Sequence, residues 1–426
     1  MAKSRIISAL DLGSSKITTI IAQVDFSQDI YESGIGVVGV SSVDSKGIRK
    51  GQIINIEEAV ESIIESVESA ERMAGYNLSS AYVALGGASI SSQNSHGVVA
   101  ISDADGEIND LDIERVIDAA SAISLPVSRE IIHVIPREFT VDGEGGVKDP
   151  IGMSGVRLEV DTHVITASTA SVRNLKKAVE EAGVGISEIV FSGLAASEAV
   201  ATNTEKELGC VVVDIGGGTT SICVFVDNAL AYSGVIPIGA KNVTNDLAIG
   251  LRISLESAER IKLLLSSYEK KKDKTEEVSL TDNLDLSKEN LEIKKVSRKT
   301  LVEGIIRPRL NEIFSMVRLE LDKYGLLGKT PSGIIVTGGG AETVGIIESA
   351  RRILSLPARI GVPTGVSGLV DDILSPAYAV PVGLIIYASK QGEEEGMPLT
   401  KLGKKIKLPV KGSFSKIIES IRNLLP

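Results

Sequence analysis

Apolar and polar positions follow two periods along this chain, and the changes between them mark its elements. Ile6-Ile-Ser-Ala-Leu10 reads as a buried strand and Ile17 to Val24 as a second β-rich run. Asp11-Leu-Gly-Ser-Ser-Lys16 lies between them, so the pair predicts a hairpin with a glycine-containing tip. A helical period follows, with Asn55 as N-cap, Glu58 three residues on, and Ile56, Ala59, Val60, Ile63, Ile64 and Val67 on one face. Such a face packs on a sheet. From about 83 to 163 the segments shorten, turns become rich in Gly and Asp, and one amphipathic helix (Ile113, Val116, Ile117, Ala120) stands out. This stretch predicts a small inserted α+β domain. Beyond it, His163 to Ser168 is a strand, and a helix carrying Leu175, Ala178, Val179 and Ala182 stops at Gly183. Strand alternating with helix indicates α/β layering.

The opening pattern then recurs about half a chain later. Cys210-Val-Val-Val-Asp214, Ile-Gly-Gly-Gly-Thr-Thr220 and Ser-Ile-Cys-Val-Phe-Val226 form a second hairpin with an Asp and a glycine tip, so the chain reads as two related halves. A third glycine turn, Gly338-Gly-Gly340, follows the strand Ile334 to Thr337, and a helix is expected from Ala341 onward. Between Glu269 and Lys299 charged and polar residues predict an exposed excursion. Residues 389–412, rich in Gly, Lys and Glu, read as a linker. After it Phe414, Ile417, Ile418, Ile421, Leu424 and Leu425 recur at helical spacing, with polar residues between them.

Composition narrows the classes. With 426 residues, 43% of them hydrophobic, the chain has material for full-size cores, and a net charge of -11 argues against a general nucleic-acid binder. Cys210 and Cys223 lie inside apolar runs and read as small core residues, which fits a reducing compartment. His96, His133 and His163 lack metal-ligand or triad spacing and read as structural. No apolar run approaches the roughly 18 residues needed to span a bilayer; the longest, Ala377 to Ala388, contains Pro381. The N-terminus shows no secretory h-region, so a cytoplasmic protein is expected.

The chemistry suggested by the turns is phosphate binding. Phosphates need backbone N–H donors at close approach, which glycine and small residues permit. Gly13, Ser14 and Ser15 at one tip, Gly216, Gly217 and Gly218 at the other, and Gly338, Gly339, Gly340 and Ala341 at the third turn meet that need. Asp11 and Asp214 would repel phosphate but can hold the water shell of a Mg²⁺ that bridges it. Lys16 and the hydroxyls of Ser14, Ser15, Thr219 and Thr220 complete the balance of charge and hydrogen bonds. Glu259 and Lys262, at i, i+3 on one helix face, can meet ribose and the adenine edge. Neither a Walker loop nor a dinucleotide fingerprint fits, because position 343 is Thr and the first two turns join strand to strand.

These motifs resemble the phosphate-1, phosphate-2, adenosine and nucleotide-helix segments of the actin, heat-shock chaperone and sugar-kinase superfamily. Within it, Ser95-His-Gly-Val-Val99, Ile131 to Phe139, Pro150 to Leu158 and Ile306-Arg-Pro-Arg309 resemble the FtsA family of bacterial cell division. The resemblance covers the chain to about residue 388. It implies an actin-like, two-lobed, duplicated α/β fold with a nucleotide cleft and a small inserted α+β subdomain. Residues 1–82 and 164–200 would form the first lobe, 83–163 the insert, and 201–388 the second lobe, with a smaller division at about 251–330. Residues 389–412 would be a linker and 413–426 an amphipathic membrane-targeting helix. The resemblance further implies ATP and Mg²⁺ as ligands, self-polymerisation, and binding of the FtsZ C-terminal peptide around 250–330. Other divisome proteins and an anionic membrane surface at the inner face of the division site complete the partners, with no nucleic acid. Lys401, Lys404, Lys405, Lys407 and Lys411 would add attraction to anionic lipid. One departure matters: where superfamily ATPases carry a water-orienting carboxylate, this sequence places Ser192, and Glu198 lies further along the expected helix. Hydrolysis slow or absent is therefore expected. An actin-fold ATPase or kinase, or a pilus-assembly homologue, is the alternative.

Overall fold

The first predicted hairpin is the centre of a six-stranded sheet. In the computed structural model, which describes residues 4–25, 34–102, 106–272, 283–285, 295–368 and 371–393, β1 (Ser4–Leu12) and β2 (Lys16–Asp25) pair antiparallel from Ser4↔Asp25 to Leu12↔Ile17. β3 (Ile35–Asp44) adds to β2, and a small hairpin follows, β4 (Ile48–Arg49) and β5 (Gln52–Ile53). Helix α1 (Ile56–Ala74) begins where expected, the Asn55 side chain accepting from the Glu58 N–H. Its buried stripe is rotated from the expected one: Ser62, Ser66 and Ala70 are buried with Ala59, Ile63 and Val67, while Val60 and Ile64 are half-buried. The reason is close approach. A Cβ on Gly39 of β3 would sit 2.6 Å from the Ala70 carbonyl, so the helix turns small residues to the sheet, and the Ser66 hydroxyl bonds that of Thr19 at 2.8 Å.

Strand β6 (Ser80–Leu85) runs parallel to β1, and the chain then leaves this sheet. β7 (Ser91–Ala100), α2 (Asp110–Ser121), β8 (Arg129–Val141), β9 (Glu144–Val147) and β10 (Arg157–Ser168) build a separate sheet ordered β7-β10-β8-β9. It has its own core of Ile108, Ile113, Val116, Phe139, Leu158 and Val160. At its root the Arg129 guanidinium bonds the Ser89 carbonyl, the Ser91 hydroxyl and both oxygens of Thr166, tying the starts of β7 and β8 to the end of β10.

The chain returns through α3 (Thr169–Glu181), β11 (Gly185–Phe191), which lies parallel to β6, then α4 (Ser192–Val200) and α5 (Asn203–Leu208). The second lobe repeats the plan. β12 (Cys210–Ile215), β13 (Thr220–Val226) and β14 (Ala229–Ile236) form an antiparallel meander. Helices α6 (Ala240–Leu251) and α7 (Leu255–Lys272) come next, then the paired β15 (Asn283–Asp285) and β16 (Lys295–Ser297). α8 (Arg298–Leu301) passes through a π-turn into α9 (Arg307–Lys323). β17 (Ile334–Thr337), α10 (Ile346–Leu354) and β18 (Ala358–Ile360) complete the lobe, and β19 (Ser367–Gly368) returns to pair with β3. The sheet order β3-β2-β1-β6-β11 of the first lobe thus matches β14-β13-β12-β17-β18 of the second, with three antiparallel strands followed by two parallel ones in each. That is the duplicated actin-like architecture.

Helix α11 (Ala379–Glu393) crosses α4 between the two sheets, close enough that a Cβ on Gly383 would overlap the Ala195 carbonyl. Nearly every residue of α4 is buried, as a helix apolar all round requires. Cys210 and Cys223 are free and fully buried here, and burial pushes both thiols up to about 12. Two expectations need correction. Within the polar 269–299 stretch, helix α7 continues to Lys272 and Leu284 pairs with Val296, so part of the stretch is regular structure. The expected linker starts late: α11 runs on to Glu393, with Ser389 buried and Lys390 paired with Glu198. The expected linker beyond 393 and the terminal helix, including Phe414, Ile417, Ile418, Ile421, Leu424 and Leu425, lie outside the described residues.

Candidate functional site

The two hairpin tips, 203 residues apart in chain from Asp11 to Asp214, meet face to face. A Cβ on Gly217 would stand 2.9 Å from Cβ of Ser15, and one on Gly218 would stand 2.9 Å from the Ser14 hydroxyl, so only glycine lets these turns approach. Ser14 Oγ in turn accepts from the Gly51 N–H at 2.8 Å, which fixes the small β4–β5 hairpin beside the tips. Gly338, at φ +82°, takes the left-handed region, and a Cβ there would overlap the Asp214 carboxylate. Together these turns enclose a cleft of about 590 Å³ between the lobes, a volume suited to a small-molecule ligand.

Burial drives the electrostatics. The Asp11 carboxyl is raised to about 6 by burial, against the pull of Lys16. Asp214 is raised to about 7 by burial and then by the charge of Asp11. Burial lowers the Lys16 ammonium, while Asp11 and Glu342 oppose that shift, and its Nζ lies 3.7 Å from the Tyr378 ring centroid. Two enclosed carboxylates that repel each other suit a hydrated divalent cation, and the space a Cβ on Gly338 would fill keeps Asp214 accessible to one.

At the other end α6 and α7 form the wall. Lys262, 7% exposed, donates to Glu259 at 2.7 Å and to the Thr244 hydroxyl at 3.0 Å, and Thr244 also donates to Glu259 at 2.5 Å. The i, i+3 pair therefore lines the cleft, with Lys262 buried and Glu259 open to the solvent at its edge. Leu255 and Leu263, both exposed, project into the same wall as an apolar ledge.

Of the expected residues, Asp11, Gly13, Ser14, Ser15, Lys16, Asp214, Gly216, Gly217, Thr219, Glu259, Lys262, Gly338, Gly339 and Gly340 line this one cleft. Three do not. Gly218 packs on Ser14, and the buried Thr220 hydroxyl is spent on the Ile238 carbonyl at 2.8 Å. Ala341 points into the core of the second lobe. The helix expected from Ala341 also begins later: Gly339–Glu342 is a 3₁₀ turn and α10 starts at Ile346, because Gly338 and Gly345 both take positive φ. Ser192 lines the cleft from the first turn of α4, its hydroxyl 3.3 Å from that of Ser221. Glu198 is held elsewhere. Burial would raise its carboxyl, but the charges and hydrogen bonds of Lys206 and Lys390 hold it down at about 2. Sequence reasoning missed Gly51, Lys241, Thr244, Asn245 and Glu342; Gly51 and Lys241 meet Ser14 from remote parts of the chain, and Glu342, though it follows the third glycine turn, falls where the sequence reads as an ordinary helix. His133 and His163 are buried, and His96 pairs with Asp161 and Glu159 at 3.0 Å; none faces the cleft. Among the described residues no cluster of three potential metal ligands from His, Cys, Asp and Glu occurs, and no helix is long and apolar enough to cross a membrane.

Residues 211–383 match the family model described as cell division protein FtsA, and 87–166 match the SHS2 domain inserted in FtsA. The chain is similar to the FtsA of Borreliella burgdorferi, with 40% identity covering 94% of this chain and 95% of the relative. It shares 38% identity with the Pseudomonas aeruginosa protein (94% and 93% covered) and 34% with that of Escherichia coli (92% and 93%). The chain belongs to the FtsA cell-division family. The FtsA fold is shared more widely: the type IV pilus complex PilM–PilN matches with TM-score 0.62 at 16% identity, covering 89% of this chain and 98% of that one. MreB5 of Spiroplasma citri bound to AMPPNP matches with TM-score 0.52 at 17% identity, covering 92% and 99%. At such identities the likeness is one of fold. The pilus likeness is therefore architectural, while FtsA membership rests on sequence across nearly the whole chain.

Proposed function

We propose that this FtsA-family chain binds ATP with Mg²⁺ in the cleft and acts as a self-polymerising scaffold of cell division on the inner face of the membrane. In this reading it tethers FtsZ filaments and recruits other divisome proteins. The observation that carries the ligand reading is the meeting of the two glycine tips beside Asp11 and Asp214, with the third glycine turn closing the same cleft. Phosphates take the N–H groups of the tips, and Glu259, Lys262, Leu255 and Leu263 receive the nucleoside. Asp11 and Asp214 would hold Mg²⁺ through its waters, whose charge offsets that of the phosphates. Catalysis is at most slow: the first turn of α4 offers Ser192 to the cleft, a poor base, and Glu198 is locked between Lys206 and Lys390.

The FtsZ peptide is assigned to the region around 250–330. There a recess of about 650 Å³ between α8, α9 and the start of α10 carries Arg298, Lys299 and Arg307 together with Glu303, which pairs with Arg307, and Glu348, leaving a small net positive lining that supports an acidic peptide. Membrane attachment is assigned to 413–426. The missing Trp implies modest affinity per chain, made up by polymer multivalency. Co-sedimentation with anionic vesicles, with and without ATP and an FtsZ C-terminal peptide, tests the whole reading. Nucleotide-enhanced pelleting that disappears on deleting 413–426 is expected; pelleting that survives the deletion refutes the anchor, and kinase-like ATP turnover refutes the scaffold.

A further inference from the structure

The cleft holds a cation that the reading above leaves unused. Lys241 sits in the first turn of α6, and its Nζ donates to the Ser14 carbonyl at 2.8 Å, across the mouth from the second lobe to the first. Its position is fixed at the backbone as well. The Lys241 N–H donates to the Gly217 carbonyl at 2.9 Å, and that of Ala240 to Gly216 at 2.9 Å, so the start of α6 is stapled to the second glycine tip. Thr244 and Asn245 follow about one turn, roughly 5 Å, further along the same helix, and Thr244 belongs to the Glu259–Lys262 end of the cleft. The first two turns of α6 therefore run along the ligand space, with Lys241 at the end of the cleft beside the two glycine tips and Asp214. Lys16 occupies a different position, over the Tyr378 ring and within the field of Glu342.

We propose that Lys241 is a binding residue for the terminal phosphate, bridging the lobes onto Ser14 without nucleotide and onto the γ-phosphate with it, so that the cleft distinguishes a triphosphate from a diphosphate. A neutral carbonyl is a weak partner for an ammonium. The ammonium–carbonyl bond is charged on the donor side alone, whereas a phosphate oxygen also carries charge on the acceptor side, so the exchange is favourable when an anion reaches the mouth between the tips. A diphosphate stops one group short, and Lys241 then stays on Ser14. The lobes remain bridged in both states, but only the triphosphate adds its own charge to the bridge.

The inference rests on the nucleotide reading, and titration calorimetry of the full chain with Mg-ATP and Mg-ADP separates the two. Lys241→Met is expected to weaken ATP binding about tenfold or more and ADP binding less than about threefold, with Lys241→Arg retaining most of the preference. Equal weakening of both nucleotides, or no change in either, overturns the proposal; equal weakening would reduce Lys241 to a lobe contact. If the unaltered chain binds neither nucleotide, the nucleotide reading itself fails. Circular dichroism melting checks each variant, and Lys241→Gln replaces Lys241→Met if the latter does not fold.

Discussion

Asp214 is 7% exposed, and its carboxyl shares the cleft with that of Asp11. An ionised Asp214, desolvated and beside the Asp11 charge, opposes folding until a divalent cation joins the pair. Asp214→Asn should therefore raise ligand-free stability by about 1 kcal/mol, roughly 2 °C in Tm, while lowering magnesium-dependent nucleotide affinity at least about tenfold. Calorimetric melting and binding titration check the two halves; a variant that keeps full magnesium dependence would remove Asp214 from the cation site. At this scale the sequence was readable where chemistry is local. Asp-x-Gly tips demand small residues next to a carboxylate, so both were found before any fold was known. Lys241 and Gly51 were not readable, because their partner is Ser14, 227 and 37 residues away. Thr220 was misplaced for a related reason: strand alternation turned its hydroxyl to Ile238, one residue beyond the tip.

Among the elements, the crossing of α4 and α11 is the tightest. Gly383→Ala forces the two backbones apart and should cost about 1–3 kcal/mol, as overpacking does. Gly304→Ala, with nothing within 4 Å and no positive φ, should change stability by less than about 1 kcal/mol. Urea midpoints of the two variants give the comparison, and equal midpoints would mean that the helices part without cost. Periodicity revealed α1, α2, α3 and both hairpins but neither α11 nor this crossing: the partner of Ala195 in α4 is Gly383, 188 residues further along the chain. The rotated stripe of α1 has the same origin, since Gly39 on a distant strand decides which side of the helix comes closest.

Across the whole molecule, the inserted sheet touches both lobes. His133 on β8 accepts from the Phe191 N–H at 3.0 Å, next to Ser192 in the cleft. Ser92 donates to the Ser233 carbonyl at 2.6 Å, and His163 bonds the Ser233 hydroxyl at 2.9 Å and Asn94 at 2.7 Å, joining the insert to β14. Burial pushes His133 down to about 4, and burial with the nearby Arg137 and His133 pushes His163 down to about 3. Both folded values lie below the ordinary one, so their stabilisation is present above about pH 6.5 and is lost as pH falls toward the folded values. Between about pH 7 and about pH 5.5 each should remove on the order of 1 kcal/mol, and His163→Asn should flatten that slope. Denaturant titrations at the two pH values measure it; an unchanged slope would mean that His163 is not held neutral. The attachment also has a mechanical result. Because Phe191 belongs to one lobe and Ser233 to the other, a change in the angle between them that keeps the His133–Phe191, Ser92–Ser233 and His163–Ser233 bonds swings the insert as a lever, magnifying a small rotation into a larger displacement at its outer edge.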